Sequence, residues 1–380
     1  KQKAALISNL KSHIDYLASD ALEGRRTGTA GADAAMDYLV KQYEMMGIGS
    51  KGASGYLQKF EINEGLQIDA ATHFRVNNAR LKIDKDFFPF ANSASMQVTG
   101  KPAMALQEKG QPWFKDIKET LEENKSNPHF DVDAWIKKEV TTAAAKGATA
   151  FIVYNTGPII DNIQFNKNDK SAAFSIPVIY LTPTGLLYFA DPSATLQIEL
   201  GVRIVEKKRL ATNVAAYINN GAANTVVIGA HYDHLGRMGR KTYFPGGNDN
   251  ASGVGMLLSV AKKLKRTPLE KYNVLCIAFA GEEIGLVGSQ AFLESPLLDR
   301  SKVSMVLNMD IMGSGEEGIT VVNGSVYTGL FDRLVKINQT YGLLKAIKPR
   351  GKAANSDHFV FSNAGIPALF IYTMGENKNY

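Results

Sequence analysis

From residue 210 onward, short apolar runs alternate with longer segments whose apolar positions recur every three or four residues. The runs are ATNVAAYI (211–218), NTVVIGA (224–230), YNVLCIAFA (272–280), KVSMVLNMD (302–310) and IPALFIY (366–372). Between them lie ASGVGMLLSVAKKLKR (251–266), IGLVGSQAFLE (284–294) and YTGLFDRLVKINQTYG (327–342). Compact apolar runs rich in β-branched residues predict buried strands, and the longer spacing predicts amphipathic helices. Strands that alternate with helices predict an α/β fold, here a mixed, centrally parallel sheet flanked by helices.

The upstream pattern differs. Residues 3–22 and 31–47 have helical spacing and are joined by the Gly-rich segment LEGRRTGTAG (22–31). YLQKFEIN (56–63) and THFRV (72–76) predict strands. From about 80 to 207, short β-like runs (ASMQVTG, PAMALQ, ATAFIVYN, IPVIYL, ATLQIEL) surround a polar, helix-prone stretch at 113–147. The expected organisation is a discontinuous domain, 1–79 with 208–380, interrupted by a small β-rich α/β domain at 80–207.

Composition narrows the function class. The chain has 380 residues, 45% hydrophobic and 21% charged, with a net charge of +6. Its basic clusters, KKLKR (262–266) and EKKR (206–209), are isolated and read as solvated element ends. No basic stripe or nucleic-acid motif accompanies them, so no nucleic-acid partner is expected. No run approaches the ~18 consecutive apolar residues of a membrane helix, so no membrane span is expected. The single cysteine, Cys276, excludes an intrachain disulfide and lies inside a strand run, where a small buried hydrophobe is the expected role. The sequence fixes no oligomeric state.

The chemistry lies where the strands end. NTVVIGA runs into His231, Tyr232, Asp233 and His234; NVLCIAFA into Gly281, Glu282 and Glu283; VSMVLNMD ends at Asp310; and GGNDNASG (246–253) carries Asp249 just before a helix. In open α/β sheets, ligands collect outside the carboxyl ends of the strands. Imidazoles and carboxylates without thiolates suit Zn²⁺. The number of carboxylates exceeds the need of one ion and suits two, with Asp249 as the shared ligand. Adjacent residues at a strand end cannot both face one ion. Glu283 is therefore expected to bind metal, while Glu282 accepts a proton from water. Asp233, two residues after His231, is placed to orient it or its partner.

The segments HYDH, NDNASG, FAGEEIGLVGS, NMD and SDHFVF resemble, in order, those of the co-catalytic zinc exopeptidases of metallopeptidase family 28. LEGRRTGTAG resembles that family's N-terminal segment, and AAAKGATAFIVYN with IPVIYLTP resembles its inserted protease-associated domain. The resemblance implies a zinc exopeptidase fold holding two Zn²⁺ ions. His231 and Asp310 would bind one ion, Glu283 the other and Asp249 both, with Glu282 as general base. It implies an aminopeptidase that hydrolyses N-terminal residues of peptides by a metal-activated water. It also implies a periplasmic or secreted protein. Carboxypeptidase, glutaminyl cyclase and a non-catalytic receptor-like protein are the alternatives on the same scaffold. In the family a further ligand His directly follows a Tyr, which corresponds to the position after Tyr380. The expectation is that the given sequence stops just short of it, with Tyr380 donating to the oxyanion of the tetrahedral intermediate. His358 is the alternative second-site ligand.

Other motifs carry less. GSGEEG (313–318) matches a dinucleotide-binding pattern, but ITVVN follows as a strand where a helix is required. The N-x-S/T triplets at Asn250, Asn323 and Asn338 read as chance matches. Ser252 and Ser289 have Gly neighbours without forming G-x-S-x-G.

Overall fold

The computed structural model describes residues 2–102, 104, 107–191, 195–239 and 242–377. The chain forms two compact units, Lys1–Ile62 with Arg209–Tyr380, and Asn63–Lys208.

Among the described residues of the first unit, the centre of the sheet runs Ile204–Ile218, Tyr272–Phe279, Asn224–His231, Val303–Met309, Ala368–Met374 and Gly318–Val322. The four strands from Tyr272–Phe279 to Ala368–Met374 pair in parallel. Antiparallel strands border them on both sides. The result is the expected mixed sheet with a parallel centre.

The apolar run Val274–Phe279 within the strand Tyr272–Phe279 has a simple cause. Successive side chains point to opposite faces, and both faces are covered. Val274, Cys276 and Ala278 pack with Leu17, Leu39, Leu257 and Ala261 from helices Gln2–Leu17, Ala30–Met45 and Gly253–Arg266. Leu275, Ile277 and Phe279 pack on the other face with Phe292 and Phe361, from helices Val287–Glu294 and His358–Asn363. Cys276 is fully buried, as expected of a core hydrophobe.

Several boundaries differ from the sequence reading. The first helix stops at Leu17, and a short 3₁₀ turn, Asp20–Leu22, follows. The helix expected from Ile284 begins at Val287. Leu286 adopts a left-handed φ of 61°, and a hydrogen-bonded turn from Glu282 to Leu286 precedes the helix. GSGEEG leads into the strand Gly318–Val322 and opens no helix. Asn250 and Asn323 are buried, so neither can carry a glycan.

In the second unit, Phe87–Pro89, Val178–Leu181, Phe151–Tyr154 and Trp113–Asp116 form one sheet. The helix Val132–Ala145 buries Ile136, Val140 and Ala143 in a cluster with Phe151, Val153 and Val178. Trp113–Asp116 is a strand within the stretch read as helix-prone, because it pairs with Phe151–Tyr154. A second sheet joins His73–Val76, Ile198–Gly201 and Gln97–Gly100. The upstream boundary of this unit therefore precedes residue 79. His73–Val76 pairs with Ile198–Gly201, and Phe74 enters the inserted core beside Ile152 and Ile179. Part of the expected run PAMALQ lies outside the described residues.

Leu275→Ala should lower unfolding stability by about 2–5 kcal/mol, because a fully buried side chain is removed from a core that cannot collapse around the gap. Leu343→Ala, at an exposed position, should change it by less than about 0.5 kcal/mol. Urea denaturation of both variants checks the contrast.

Candidate metal centre

Parallel register aligns the ends of the strands. His231 lies opposite Phe279, so the Glu282–Glu283 turn leaves the sheet beside it. Gly229 lies opposite Asn308, which brings Asp310 to the same edge. Gly281 makes the turn with φ 72°, a conformation that an L side chain resists. The loop Gly247–Ser252 completes the edge. Asn250 anchors it, donating from Nδ2 to Met309 O at 3.1 Å and accepting from Gly253 N at 2.9 Å.

Two potential ligand groups result. His231, Asp249 and Asp310 form one; His234, Asp249 and Glu283 form the other. Within each group, the candidate atoms lie within 4.8 Å of one another. His231 Nε2 is 3.2 Å from Asp249 Oδ1 and 3.3 Å from Asp310 Oδ1. Ligands on a tetrahedral ion with bonds near 2.0–2.1 Å stand about 3.3 Å apart, which matches this spacing. The Oδ1 atoms of Asp249 and Asp310 are buried and face His231 Nε2, with no other hydrogen-bond partner among the described residues. In the second group, His234 Nδ1 is 2.6 Å from Glu283 Oε1 and 4.0 Å from Asp249 Oδ1.

Supporting contacts fix these side chains. The Asp233 carboxylate is fully buried. It accepts from Thr27 Oγ1 at 2.7 Å and from the Glu282 and Glu283 amides at 3.2 and 3.4 Å. His231 Nδ1 faces the Asp233 carbonyl at 3.2 Å and its carboxylate at 3.8 Å. Asp233 thus braces the glutamate turn as well as the imidazole. Asn308 donates to Ser356 Oγ at 2.8 Å, and Ser356 donates to Asp310 Oδ2 at 2.9 Å, leaving Oδ1 to face His231.

Arg25 is the residue that the sequence reading missed. Its segment read as a Gly-rich connection, yet Arg25 is fully buried. Its guanidinium donates to the Tyr232 carbonyl at 2.9 Å, Pro245 O at 2.7 Å and Gly246 O at 2.9 Å, and also to Leu17 O. It therefore ties the His231 strand end to the Asp249 loop. Burial lowers its pKa to about 10, against the pull of Asp233, Asp249 and Glu283. The signal available in the sequence was a charged pair, Arg25–Arg26, set among glycines.

The electrostatics follow from burial. Burial opposes protonation of His231, but the Asp310 and Asp249 carboxylates overcome it and hold its pKa well above the ordinary value. Burial raises the Asp249 carboxyl, yet His231, with help from His234 and Arg25, brings it below its usual range. Burial pushes Glu282 up to about 8; His231 opposes this, while Asp357, Asp310 and Asp233 add to it. Asp357 is likewise pushed up to about 7, first by burial.

The expected ligands His231, Asp249, Glu283 and Asp310 thus meet at one edge, with Asp249 common to both groups. His358 belongs to neither group. It is buried against Phe370, with ring centroids 5.2 Å apart. Tyr380 lies outside the described residues.

Arg25→Met should destabilise the chain by about 3–5 kcal/mol, because it leaves buried carbonyls and carboxylates without their cation. A denaturation midpoint equal to that of the parent would remove the guanidinium from this role.

The family model described as Peptidase family M28 matches residues 213–380, which include every candidate ligand. Aminopeptidase YwaD of Bacillus subtilis is 28% identical over 248 residues, covering 62% of this chain and 50% of its own length. The probable lipoprotein aminopeptidase LpqL of Mycobacterium tuberculosis is 30% identical over 254 residues, covering 62% and 48%. The chain thus spans about half the length of the curated relatives it matches. Among solved structures, an aminopeptidase from Aneurinibacillus sp. strain AM-1 superposes with TM-score 0.53 at 20% identity, covering 98% of this chain and 86% of that one. BSAP, a zinc aminopeptidase from Bacillus subtilis, gives 0.52 at 19% identity, covering 96% and 84%. These two share the fold. Over the segment 213–380, the chain is similar to peptidase family M28.

Proposed function

We propose that the chain is a zinc-dependent aminopeptidase that removes N-terminal residues from peptides. The observation that carries this reading is the pair of ligand groups joined at Asp249, with the half-buried carboxyl of Glu282 coupled electrostatically to His231 and Asp310. The names of the relatives support both zinc and aminopeptidase activity.

His231, Asp249 and Asp310 would hold one ion; Asp249 and Glu283 would contribute to the other. When bound, the ions supply Lewis acidity, which polarises the scissile carbonyl and makes water acidic. The chain's own residues manage the proton. Glu282 accepts it from the attacking water and delivers it to the leaving nitrogen. Asp233 holds the Glu282 and Glu283 amides, so the base and the neighbouring ligand keep one relative position. Asp249 and Arg25 share the loop and strand end on which that alignment depends.

Two subsidiary assignments accompany this reading. The unit Asn63–Lys208 is of the protease-associated type, on the basis of its small β-rich α/β architecture. The protein is exported to the periplasm or secreted, a reading supported by the relative named as a lipoprotein. No helix among the described residues is long and apolar enough to cross a membrane.

Glu282→Gln should retain bound zinc and reduce aminoacyl hydrolysis by about 10²–10⁴-fold. Turnover equal to the parent's would exclude Glu282 as the base. Substrates with a free N-terminal residue should be cleaved in preference to C-terminal glutamyl or N-terminal glutaminyl peptides, which separates the proposal from a carboxypeptidase or a cyclase. Chelation should abolish hydrolysis and lower the melting temperature, since an ion at 100 times its Kd stabilises the folded state by about 2.7 kcal/mol. A receptor-like chain would contain no stoichiometric zinc and would melt unchanged.

A further inference from the structure

We propose that His234 is the positioning residue that fixes Glu283 for the second cation and so governs whether that centre fills. The inference rests on the two-ion reading above and adds a residue to it.

His234 Nδ1 lies 2.6 Å from Glu283 Oε1, the short length of a charge-assisted hydrogen bond. The same nitrogen is 4.0 Å from Asp249 Oδ1, too far for a hydrogen bond. In this structure Nδ1 is therefore paired with Glu283 and not with Asp249. A carboxylate held at one oxygen by a donor presents the other to a metal, and such partners orient a ligand before the ion arrives. Glu283 benefits from this restraint because its flexible side chain must otherwise be ordered when the ion binds.

The imidazole is itself seated. It is nearly buried, and its backbone N–H donates to the Arg25 carbonyl at 3.3 Å. Gly246 makes the space, with φ 61°; a Cβ there would stand 2.6 Å from both His234 Cδ2 and Arg25 Nη2. The ring thus lies against bare backbone at the point where Arg25 ties the loop to the strand end. A histidine so placed determines where Glu283 points, and through it the occupancy of the second site.

The test is a calorimetric titration of the metal-free full chain with Co²⁺, followed in parallel by the visible spectrum. The parent should take two equivalents. His234→Ala should weaken one binding step by about 10–100-fold and leave the other within about twofold. Glu283→Gln should weaken the same step. His234→Asn, whose side-chain amide places an N–H near the position of Nδ1, should restore most of the lost affinity and the parent's cobalt spectrum. The inference is overturned if His234→Ala binds both equivalents as the parent does. It is also overturned if His234→Asn is as weak as His234→Ala, or if His234→Ala loses both steps together with its melting temperature. A parent that takes fewer than two equivalents would instead contradict the two-ion reading, and the inference would fall with it.

Discussion

Carboxyl groups crowded at the edge of a buried sheet repel one another in a medium that screens them poorly, and the rest of this site is arranged around that repulsion. Asp233, Asp249, Glu282, Glu283, Asp310 and Asp357 all act on this small region. The fixed positive charge facing them is Arg25. Backbone amides, Thr27 and Ser356 satisfy some oxygens, while the Oδ1 atoms of Asp249 and Asp310 face His231 Nε2 at 3.2 and 3.3 Å. Divalent cations are the natural partner for such a set. Burial, with repulsion from neighbouring carboxylates, pushes the carboxyls of Glu282 and Asp357 up.

The parallel strands make this crowding possible. Each strand is buried on both faces, so polar side chains are excluded along its length and gather where it leaves the sheet. Parallel pairing then brings the ends of several strands to one side. Fold and site are thus two results of one pattern, an apolar run followed by abrupt polarity. Asn250 and Arg25 add the ties that a sheet edge alone cannot provide, since they hold the Asp249 loop in place through buried side-chain hydrogen bonds.

This pattern also explains what could be read in advance. The strands with their terminal His231, Glu282–Glu283 and Asp310 were legible because burial leaves a strong mark on sequence. The role of Arg25 was not, because its partners are carbonyl groups distant along the chain, and carbonyls leave no trace in residue identity. His234 was visible as part of HYDH, but its partner Glu283 depends on the path of a turn and not on spacing. The upstream limit of the inserted unit was misplaced for a related reason. THFRV reads as a strand, but its sheet is decided by pairing with Ile198–Gly201, more than a hundred residues later. The late start of the helix at Val287 reflects backbone geometry at Leu286, a residue type that gives no warning of a left-handed turn.

The central claim is that these imidazoles and carboxylates converge on a pair of cations. Anomalous scattering at the zinc edge, from crystals grown with zinc, tests it most directly. The account predicts two peaks about 3.5–4 Å apart on either side of Asp249, one beside His231 and Asp310 and the other beside Glu283. The absence of any peak at this edge, or zinc bound only away from Asp249, would contradict it.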